Sequence, residues 1–215
     1  MVEVYITNFS KLPDPKDRKQ LMASLNPERR LRIAKAANEK ARRQCLASAL
    51  LLQLVLKEKG LDANQVRTNR FGKPEIDGIY FNISHSGDMV VCAVSEKPVG
   101  CDIERIREAP RKVSSRYFGE QEKLRLEKLQ GFEFDCEFFR LWTMKESYVK
   151  MTGEGLRVPL GAFEIAEADS ISIIREGKKQ ACNIKEYEVP GYRLTVCAEE
   201  EEFDKEMYIV KVASC

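Results

Sequence analysis

Twice along this 215-residue chain a long stretch of helical period gives way to several short stretches of strand-like alternation. That double plan restricts the possible folds more than any other feature. In the first pass Asn26-Pro27-Glu28 opens a helical region, an N-cap candidate followed by proline at the first helical position. A polar break over 36–40 divides that region, and Asn38 is placed to cap the next segment. Residues 41–59 then form a long helix with Leu46, Leu50, Leu51, Leu54 and Val55 on one side, stopped by Gly60. Strands are expected at 2–7, 80–84, 89–95 and 99–104. In the second pass a helix over 135–151 and a Gly153-Glu154-Gly155 turn precede strands at 163–166, 171–174, 181–187, 192–198 and 207–212. The intervening 105–134 is charged, with a helix over 121–129. The two passes share too little residue identity to be a sequence repeat. The expectation is an α+β protein whose halves, residues 1–105 and 106–215, pack face to face, with ligands favouring the boundary.

Composition narrows the functional classes. Apolar residues are 43% and charged residues 33%, ordinary for a soluble globular protein. Thirty-six basic against 34 acidic residues leave a net charge of +2, so no global field draws the chain to nucleic acid or membrane. Basic residues nevertheless crowd 29–43, where Arg29, Arg30, Arg32, Lys35, Lys40, Arg42 and Arg43 suggest a local anion site. The seven cysteines are odd in number and form no CxxC pair, which reads as reduced thiols rather than zinc ligands or disulfides. Met1-Val2-Glu3-Val4-Tyr5 begins as a strand without a signal-peptide pattern, and no apolar run reaches the roughly 20 residues of a membrane helix. A cytoplasmic protein is expected.

Two acidic motifs carry the chemistry. In Gly100-Cys101-Asp102-Ile103-Glu104, strand alternation turns Asp102 and Glu104 to one face. In the helix over 138–151, Trp142, Glu146 and Lys150 fall at i, i+4 and i+8, one stripe of one face. Each has a bland explanation: Asp-x-Glu as a solvated strand face, Glu146–Lys150 as a surface pair, Trp142 as a core aromatic. Brought together, three hard oxygen ligands and a lysine would hold Mg²⁺ against a polyphosphate. A third segment, Arg70-Phe71-Gly72-Lys73-Pro74 followed by Phe81-Asn82-Ile83-Ser84-His85-Ser86-Gly87, is rich in donors and suits phosphate. It holds the chain's one histidine, His85, between two serines.

In this order and at these separations, Gly72-Lys73-Pro74, Phe81 to Gly87, Gly100-x-Asp102-x-Glu104 and Trp142-x-x-Lys145-Glu146-x-x-x-Lys150 closely resemble the surfactin-type 4′-phosphopantetheinyl transferases. The resemblance extends to Asn26-Pro27-Glu28-Arg29, Arg116-Tyr117-Phe118 with Glu122, Gly155-Leu156 with Pro159-Leu160, and Tyr187 to Tyr192, covering nearly the whole chain. It implies a pseudo-dimer of two similar α+β halves, a monomer with pseudo-twofold symmetry, and coenzyme A bound in the cleft between them. The implied reaction moves the 4′-phosphopantetheine arm of coenzyme A onto a serine of an apo acyl or peptidyl carrier protein and releases adenosine 3′,5′-bisphosphate. By the same resemblance Asp102, Glu104 and Glu146 coordinate Mg²⁺ (Mn²⁺ as a substitute), directly or through water. Arg29 and Arg32 fall where the family contacts the coenzyme A 3′-phosphate, His85 shares in phosphate binding, and Arg43 lies in that region. Lys73, Pro74 and Ser84 line the coenzyme A site, and Lys150 contacts the pyrophosphate.

The segment 113–137, with Tyr117 and Phe118 read as exposed, is expected to dock the acidic carrier protein with help from Arg111, Lys112 and Arg116. Two positions depart from the family pattern: Gln44, where a hydroxyl residue is more usual, and Asp88, where many relatives carry a basic or aromatic residue. Glu146 is the candidate base for the serine hydroxyl, and no covalent enzyme intermediate is required. A metal-dependent nuclease or nucleotidyl transferase could use the same acids and lysine, but would need a larger basic surface. A non-catalytic relative that only binds coenzyme A or carrier protein is the other alternative.

Overall fold

In the computed structural model the described residues are 1–17, 19–70, 72–155, 158–167 and 170–212, with the side chains of 17, 19, 20 and 113–115 also outside the description. Phe71 and Leu156, named above, one of the seven cysteines (Cys215) and the first side chain of the segment 113–137 therefore lie outside the described residues. The first elements are β1 (Glu3–Asn8), α1 (Lys19–Ala23), α2 (Pro27–Ala34), α3 (Glu39–Glu58), β2 (Arg67–Thr68), β3 (Pro74–Glu75), β4 (Tyr80–Ser86), β5 (Met89–Ser95) and β6 (Val99–Arg105). Then come α4 (Ser114–Tyr117), α5 (Glu120–Glu127), α6 (Gly131–Thr152), β7 (Phe163–Glu167), β8 (Ile171–Arg175), β9 (Lys178–Lys179), β10 (Asn183–Val189), β11 (Tyr192–Ala198) and β12 (Tyr208–Ile209).

The helix starts follow local chemistry. Asn26 Oδ1 accepts the Arg29 N–H at 2.9 Å with Pro27 at the first helical position, and Asn38 Oδ1 accepts the Ala41 N–H at 2.9 Å. Each cap satisfies a backbone donor that the helix leaves unpaired. α6 begins at Gly131, four residues before the expected 135, because Phe134 is buried with Phe138 and draws the first turn into the core.

Strand alternation sets the layers. In β5, Val90, Cys92 and Val94 pack against Leu46, Leu50 and Val55 of α3. Val91 and Ala93, one residue out of step, face the opposite way and meet Val99, Cys101 and Ile103 of β6 and Leu194 and Val196 of β11. The sheet β12-β1-β5-β4 is thus covered by α3 on one face and by the sheet β10-β11-β6 on the other. α6 covers the outer face of that second sheet, where the Thr143 and Thr195 hydroxyls share a hydrogen bond of 2.9 Å. The result is an α+β protein layered helix, sheet, sheet, helix, each buried aliphatic side chain at the sheet–sheet contact contributing about 2 kcal/mol. The small sheet β7-β8-β9 extends the α6 core through Phe163, Ile165 and Ile173.

Two strands join sheets that sequence order does not suggest. β6, read as the last strand of the first half, pairs antiparallel with β11 from Tyr192–Arg105 to Ala198–Val99 and completes the second sheet. β12, grouped by sequence with the second half, pairs parallel with β1 through Tyr5–Tyr208 and Ile6–Ile209. Tyr208 stacks on Tyr5 with ring centroids 4.9 Å apart, which fixes the returning chain on the open edge of β1.

A charge network ties α5, α6, β7 and β10 together. Arg140 bonds Glu167 at 2.8 Å and Glu186 at 2.7 Å, and Arg125 bonds Glu167 at 2.7 Å and also pairs with Glu137. Burial pushes the Glu167 carboxyl up, but the hydrogen bonds from Arg140 and Arg125 outweigh it and hold the group below the ordinary glutamate value. A depressed carboxylate stabilises the fold above its unfolded pKa and loses that contribution as pH falls through its folded value. Glu167→Gln is expected to lower Tm by about 1–3 °C at neutral pH, the group being partly solvent-screened. The gap should narrow below about pH 4 as wild type loses the same charge. A calorimetric gap that stays constant into acid would assign the effect to packing instead.

Candidate active site

β6 lies so close to α6 that residue 100 has no room for a side chain. A Cβ at Gly100 would stand 2.1 Å from the Ser147 carbonyl oxygen and 2.3 Å from the Met151 nitrogen. Glycine lets the two backbones touch, and the residues two and four positions on, Asp102 and Glu104, leave the strand toward the helix. Across this contact Lys150 Nζ donates to Asp102 Oδ1 at 2.5 Å, to the Cys101 carbonyl at 3.2 Å and to Ser84 Oγ at 3.1 Å.

The other edge of β6 meets β4 through side chains. Asn82, Ser84 and Ser86 share one face of β4 by alternation. Their side-chain oxygens accept the N–H groups of Cys101 (3.0 Å), Ile103 (3.3 Å) and Arg105 (3.1 Å). The same two serines donate to the acids, Ser84 Oγ to Asp102 Oδ1 at 2.9 Å and Ser86 Oγ to Glu104 Oε2 at 2.8 Å. This side-chain ladder occupies the donors that another strand would need, so β6 does not extend the first sheet. At the end of the ladder Gly87 has a φ of +60°, and a Cβ there would strike the Tyr192 hydroxyl at 2.4 Å. That hydroxyl accepts the Asp88 N–H at 3.2 Å.

The electrostatics are those of crowded acids in a dry place. Asp102 is 5% exposed; burial pushes its carboxyl up and the Lys150 ammonium opposes the shift. Burial, then the charges of Asp102 and Glu104, raise Glu146. Burial works against the Lys150 charge, but Asp102 and its other acidic neighbours outweigh it and raise the ammonium. Burial lowers Lys73, whose Nζ donates to the Lys150 carbonyl at 2.9 Å and so links the β2–β3 hairpin to the end of α6.

Whether this donor set suits a divalent cation can be judged from what remains unpaired. Asp102 Oδ2 is buried without a hydrogen-bond partner, and Glu146 makes no hydrogen bond or ion pair among the described residues. Glu104 Oε2 is shared by Ser86 and by Arg107 Nη1 at 3.0 Å. Among the described residues no three His, Cys, Asp or Glu groups close into a compact metal cluster. The Lys150 ammonium instead holds one oxygen of Asp102. An orphaned carboxylate oxygen beside a second, free carboxylate still fits a hard cation in chemistry and charge.

Two hollows flank the cluster. One, of about 250 Å³, is lined by Arg29, Arg32, Gln44, Ser48, Thr68 and His85. The other, of about 830 Å³, is lined by Lys73, Tyr117, Trp142, Glu146, Lys150 and Leu160 among others. Gly72, Pro74 and Asn82 line both, so the hollows adjoin. In the first, burial lowers His85, with the Lys150 and Arg32 charges adding to it, and the Gln44 amide lies 3.1 Å from its Nε2. Burial and the neighbouring Arg32 charge also lower Arg29.

The expected site residues distribute as follows. Asp102, Glu104, Glu146 and Lys150 come together at one cluster. Arg29, Arg32 and His85 come together in the smaller hollow, and Lys73 and Pro74 stand at the larger one. Ser84 turns inward to Asp102 and lines neither hollow. Arg43 pairs with Glu39 and borders a separate open hollow with Phe9, Lys40 and Asp88, while its neighbour Gln44 faces His85. Phe118, read as an exposed docking aromatic, is 2% exposed and packs on Phe138; Tyr117, edge-on to Trp142 at 5.3 Å, is the half-exposed one. Sequence reasoning gave no role to the Asn82-Ser84-Ser86 ladder, although its spacing of two is visible in the chain. Arg107, which holds Glu104 and lies 4.7 Å from the Phe139 ring, has no distinguishing signal in the sequence.

The family model for the 4′-phosphopantetheinyl transferase superfamily matches residues 98–197. The 4′-phosphopantetheinyl transferase Sfp of Bacillus subtilis is 32% identical over 97% of this chain and 97% of its own. The 4′-phosphopantetheinyl transferase gsp of Aneurinibacillus migulanus is 35% identical over 88% of this chain and 84% of its own. Among solved structures, a holo-(acyl-carrier-protein) synthase of Bacillus anthracis in complex with CoA aligns with 47% of this chain and 93% of its own, at 18% identity and a TM-score of 0.42. The chain belongs to the 4′-phosphopantetheinyl transferase superfamily and is of the Sfp type. It is an enzyme that transfers phosphopantetheine to carrier proteins, which sets aside the nuclease, nucleotidyl transferase and non-catalytic readings.

Because the strand–helix contact at Gly100 positions the cluster, Gly100→Ala should cost about 3 kcal/mol or more through overpacking against backbone. Tm should fall by at least several degrees, and transfer should be lost at temperatures where the variant is still folded. Wild-type Tm and turnover in that variant would mean that the β6–α6 distance is not what assembles the site.

Proposed function

We propose that the phosphopantetheine donor is coenzyme A, laid across the two adjoining hollows with its diphosphate at the Asp102–Glu146–Lys150 cluster. The observation that carries this reading is the junction itself. A basic, donor-lined hollow adjoins, through Gly72, Pro74 and Asn82, a larger chamber whose exposed lining is mostly apolar; Glu146 and Lys150 line that chamber, and Lys150 reaches Asp102 behind it. A ligand with a phosphorylated nucleotide at one end and a long uncharged arm at the other has this shape. Arg29, Arg32 and His85 would take the 3′-phosphate end, with Gln44 in the place of the family's usual hydroxyl residue. Lys73 and Pro74 would border the arm, and Ser84 would act from behind by holding Asp102. We place Arg43 at the rim of this region through its helix, not in the hollow.

Asp102, Glu104 and Glu146 would hold Mg²⁺, with Mn²⁺ as a substitute, and the ion would supply the charge neutralisation that an anionic diphosphate needs before a nucleophile can approach. Lys150 adds a fixed cation beside the leaving phosphate, already aimed by Asp102 and Ser84, and costs no reorganisation during the reaction. Glu146 takes the proton of the acceptor serine. Burial and the charges of Asp102 and Glu104 raise its pKa before an ion is bound, and it acts beside the ion or through a bound water. Transfer is direct from donor to acceptor. Cys101, the thiol nearest the cluster, is pushed up to about 12 by burial and is no nucleophile at neutral pH.

The acceptor is an apo acyl or peptidyl carrier protein, docked by its acidic helix along 113–137 in a cytoplasmic setting. Arg111, Lys112 and Arg116 are exposed basic residues at the start of that segment, and Phe132 and Leu124 are its exposed large apolar ones. We take the halves 1–105 and 106–215 as pseudo-symmetric parts of a monomer that exchange edge strands β6 and β12.

Glu146→Gln and Asp102→Asn should each reduce transfer by about a hundredfold or more, read by mass spectrometry of apo carrier protein with coenzyme A and Mg²⁺, while the fold persists. Near-normal turnover with ordinary Mg²⁺ dependence in either variant would remove that residue from the chemistry. Reversing Lys112 to Glu should raise KM for carrier protein about threefold to fivefold and leave coenzyme A affinity unchanged. Affinity is readable from the fluorescence of Trp142, the one tryptophan, which lines the chamber. Equal loss of both would place the carrier elsewhere.

A further inference from the structure

We propose that Lys145, which the transfer chemistry does not use, is a positioning residue that sets the acceptor-facing wall of the chamber relative to Glu146. Lys145 immediately precedes Glu146 on α6 but leaves the helix on another side, and its side chain is completely buried. Its ammonium donates to the Leu160 carbonyl at 2.9 Å and to the Phe163 carbonyl at 2.5 Å, and pairs with Glu122 Oε2 at 2.9 Å. Glu122, also buried, passes the connection on: Oε2 accepts the Gly119 N–H at 2.7 Å and Oε1 accepts the Ile165 N–H at 2.8 Å.

One ammonium therefore fixes the start of α5, the turn at 160–163 and strand β7 to the residue beside Glu146. Two of these bear directly on the chamber. Leu160 lines it, and Arg116 and Tyr117, which also line it, lie just before the anchored Gly119. The turn and α4 touch at Gly161, where a Cβ would stand 3.0 Å from the Arg116 carbonyl oxygen. The wall facing Trp142 and Glu146 is thus tied into one unit through Lys145 and Glu122.

Stability alone does not account for this arrangement. A buried ion pair is often matched or bettered by apolar side chains of similar volume, since both charges must leave water. An apolar pair would fill the space but could not select one backbone path through 160–163, which two carbonyls converging on a single ammonium do. An acceptor serine can reach Glu146 only if that wall stands at the right distance, and small misplacements of reacting groups are costly.

The inference rests on the reading that the carrier docks along 113–137, and the test separates the two. The double variant Glu122→Gln/Lys145→Met removes both buried charges together, so neither is stranded. Its expected behaviour is unchanged coenzyme A affinity within about twofold and a KM for carrier protein raised about tenfold, with a smaller fall in kcat. Should the double variant not fold, Gly161→Ala leaves the charges in place, displaces the turn from the Arg116 carbonyl and is expected to raise carrier KM in the same way. Unchanged carrier KM in the folded variant, or loss of coenzyme A affinity in step with carrier affinity, overturns the positioning role. Lys112→Glu, exposed and outside both hollows, is the control in the otherwise wild-type enzyme. If it fails to move carrier KM, the docking reading is at fault; if it raises carrier KM while the variants above do not, Lys145 is only structural.

Discussion

A strand and a helix in backbone contact at Gly100 underlie the site. Side chains normally hold a helix and sheet about a residue's width apart. Here the missing Cβ brings the β6 backbone against the Ser147 carbonyl and the Met151 nitrogen. A short Asp102 side chain can then meet Lys150 from the helix at 2.5 Å, and Glu146, one turn before, feels the charges of both Asp102 and Glu104. With ordinary spacing the same residues would be a solvated acidic strand and a surface ion pair, the bland explanation that each motif invites on its own. Gly-x-Asp-x-Glu and Trp-x-x-Lys-Glu-x-x-x-Lys are therefore one device, and its first glycine is as necessary as its acids.

The second edge of β6 shows how the two sheets are kept in register. A backbone ladder to β4 would have merged them into a single sheet and turned the acids out of the cleft. Asn82, Ser84 and Ser86 substitute side-chain oxygens for backbone carbonyls, holding the strand at a distance set by one side chain. The serines do double duty because a hydroxyl both accepts and donates. Each takes an N–H from β6 and gives its own proton to a carboxylate, so the part that aligns the sheets also orients the acids. Lys73 adds a brace from the first half to the last turn of α6. The larger hollow sits at this joint and borrows walls from both halves.

Much of this was legible in the chain because the signals are local. Caps at Asn26 and Asn38, alternation over 99–104 and the i, i+4, i+8 stripe of Trp142, Glu146 and Lys150 all depend on neighbours within a few residues, and the structure keeps each of them. What was hidden depends on distant partners. Nothing within ten residues of Phe118 says that it will pack on Phe138. Nothing near β12 says that it will return to β1 rather than extend its own half. Arg43 and Gln44 differ by one helical step, about 100°, and only the packing of α3 decides which faces His85. Lys145 was visible as a motif residue, but its direction away from Glu146 appears only once Glu122 and the 160–163 turn are in place.

Crowding acids in a buried joint carries a cost that the site distributes unevenly, and the proposed division of roles follows that unevenness. Asp102 and Glu104 are restrained: serine hydroxyls hold both, Lys150 pairs with the first and Arg107 with the second. Their charges are partly offset and their positions are set before any ligand arrives, which suits the cation- and diphosphate-binding role proposed for them. Glu146 has neither a hydroxyl nor a cation bonded to it among the described residues, and it bears the repulsion of the other two. A carboxylate in that position gains more than its neighbours from accepting a proton. The same feature that makes it the least comfortable acid of the cluster is what recommends it for the proton-accepting role proposed above.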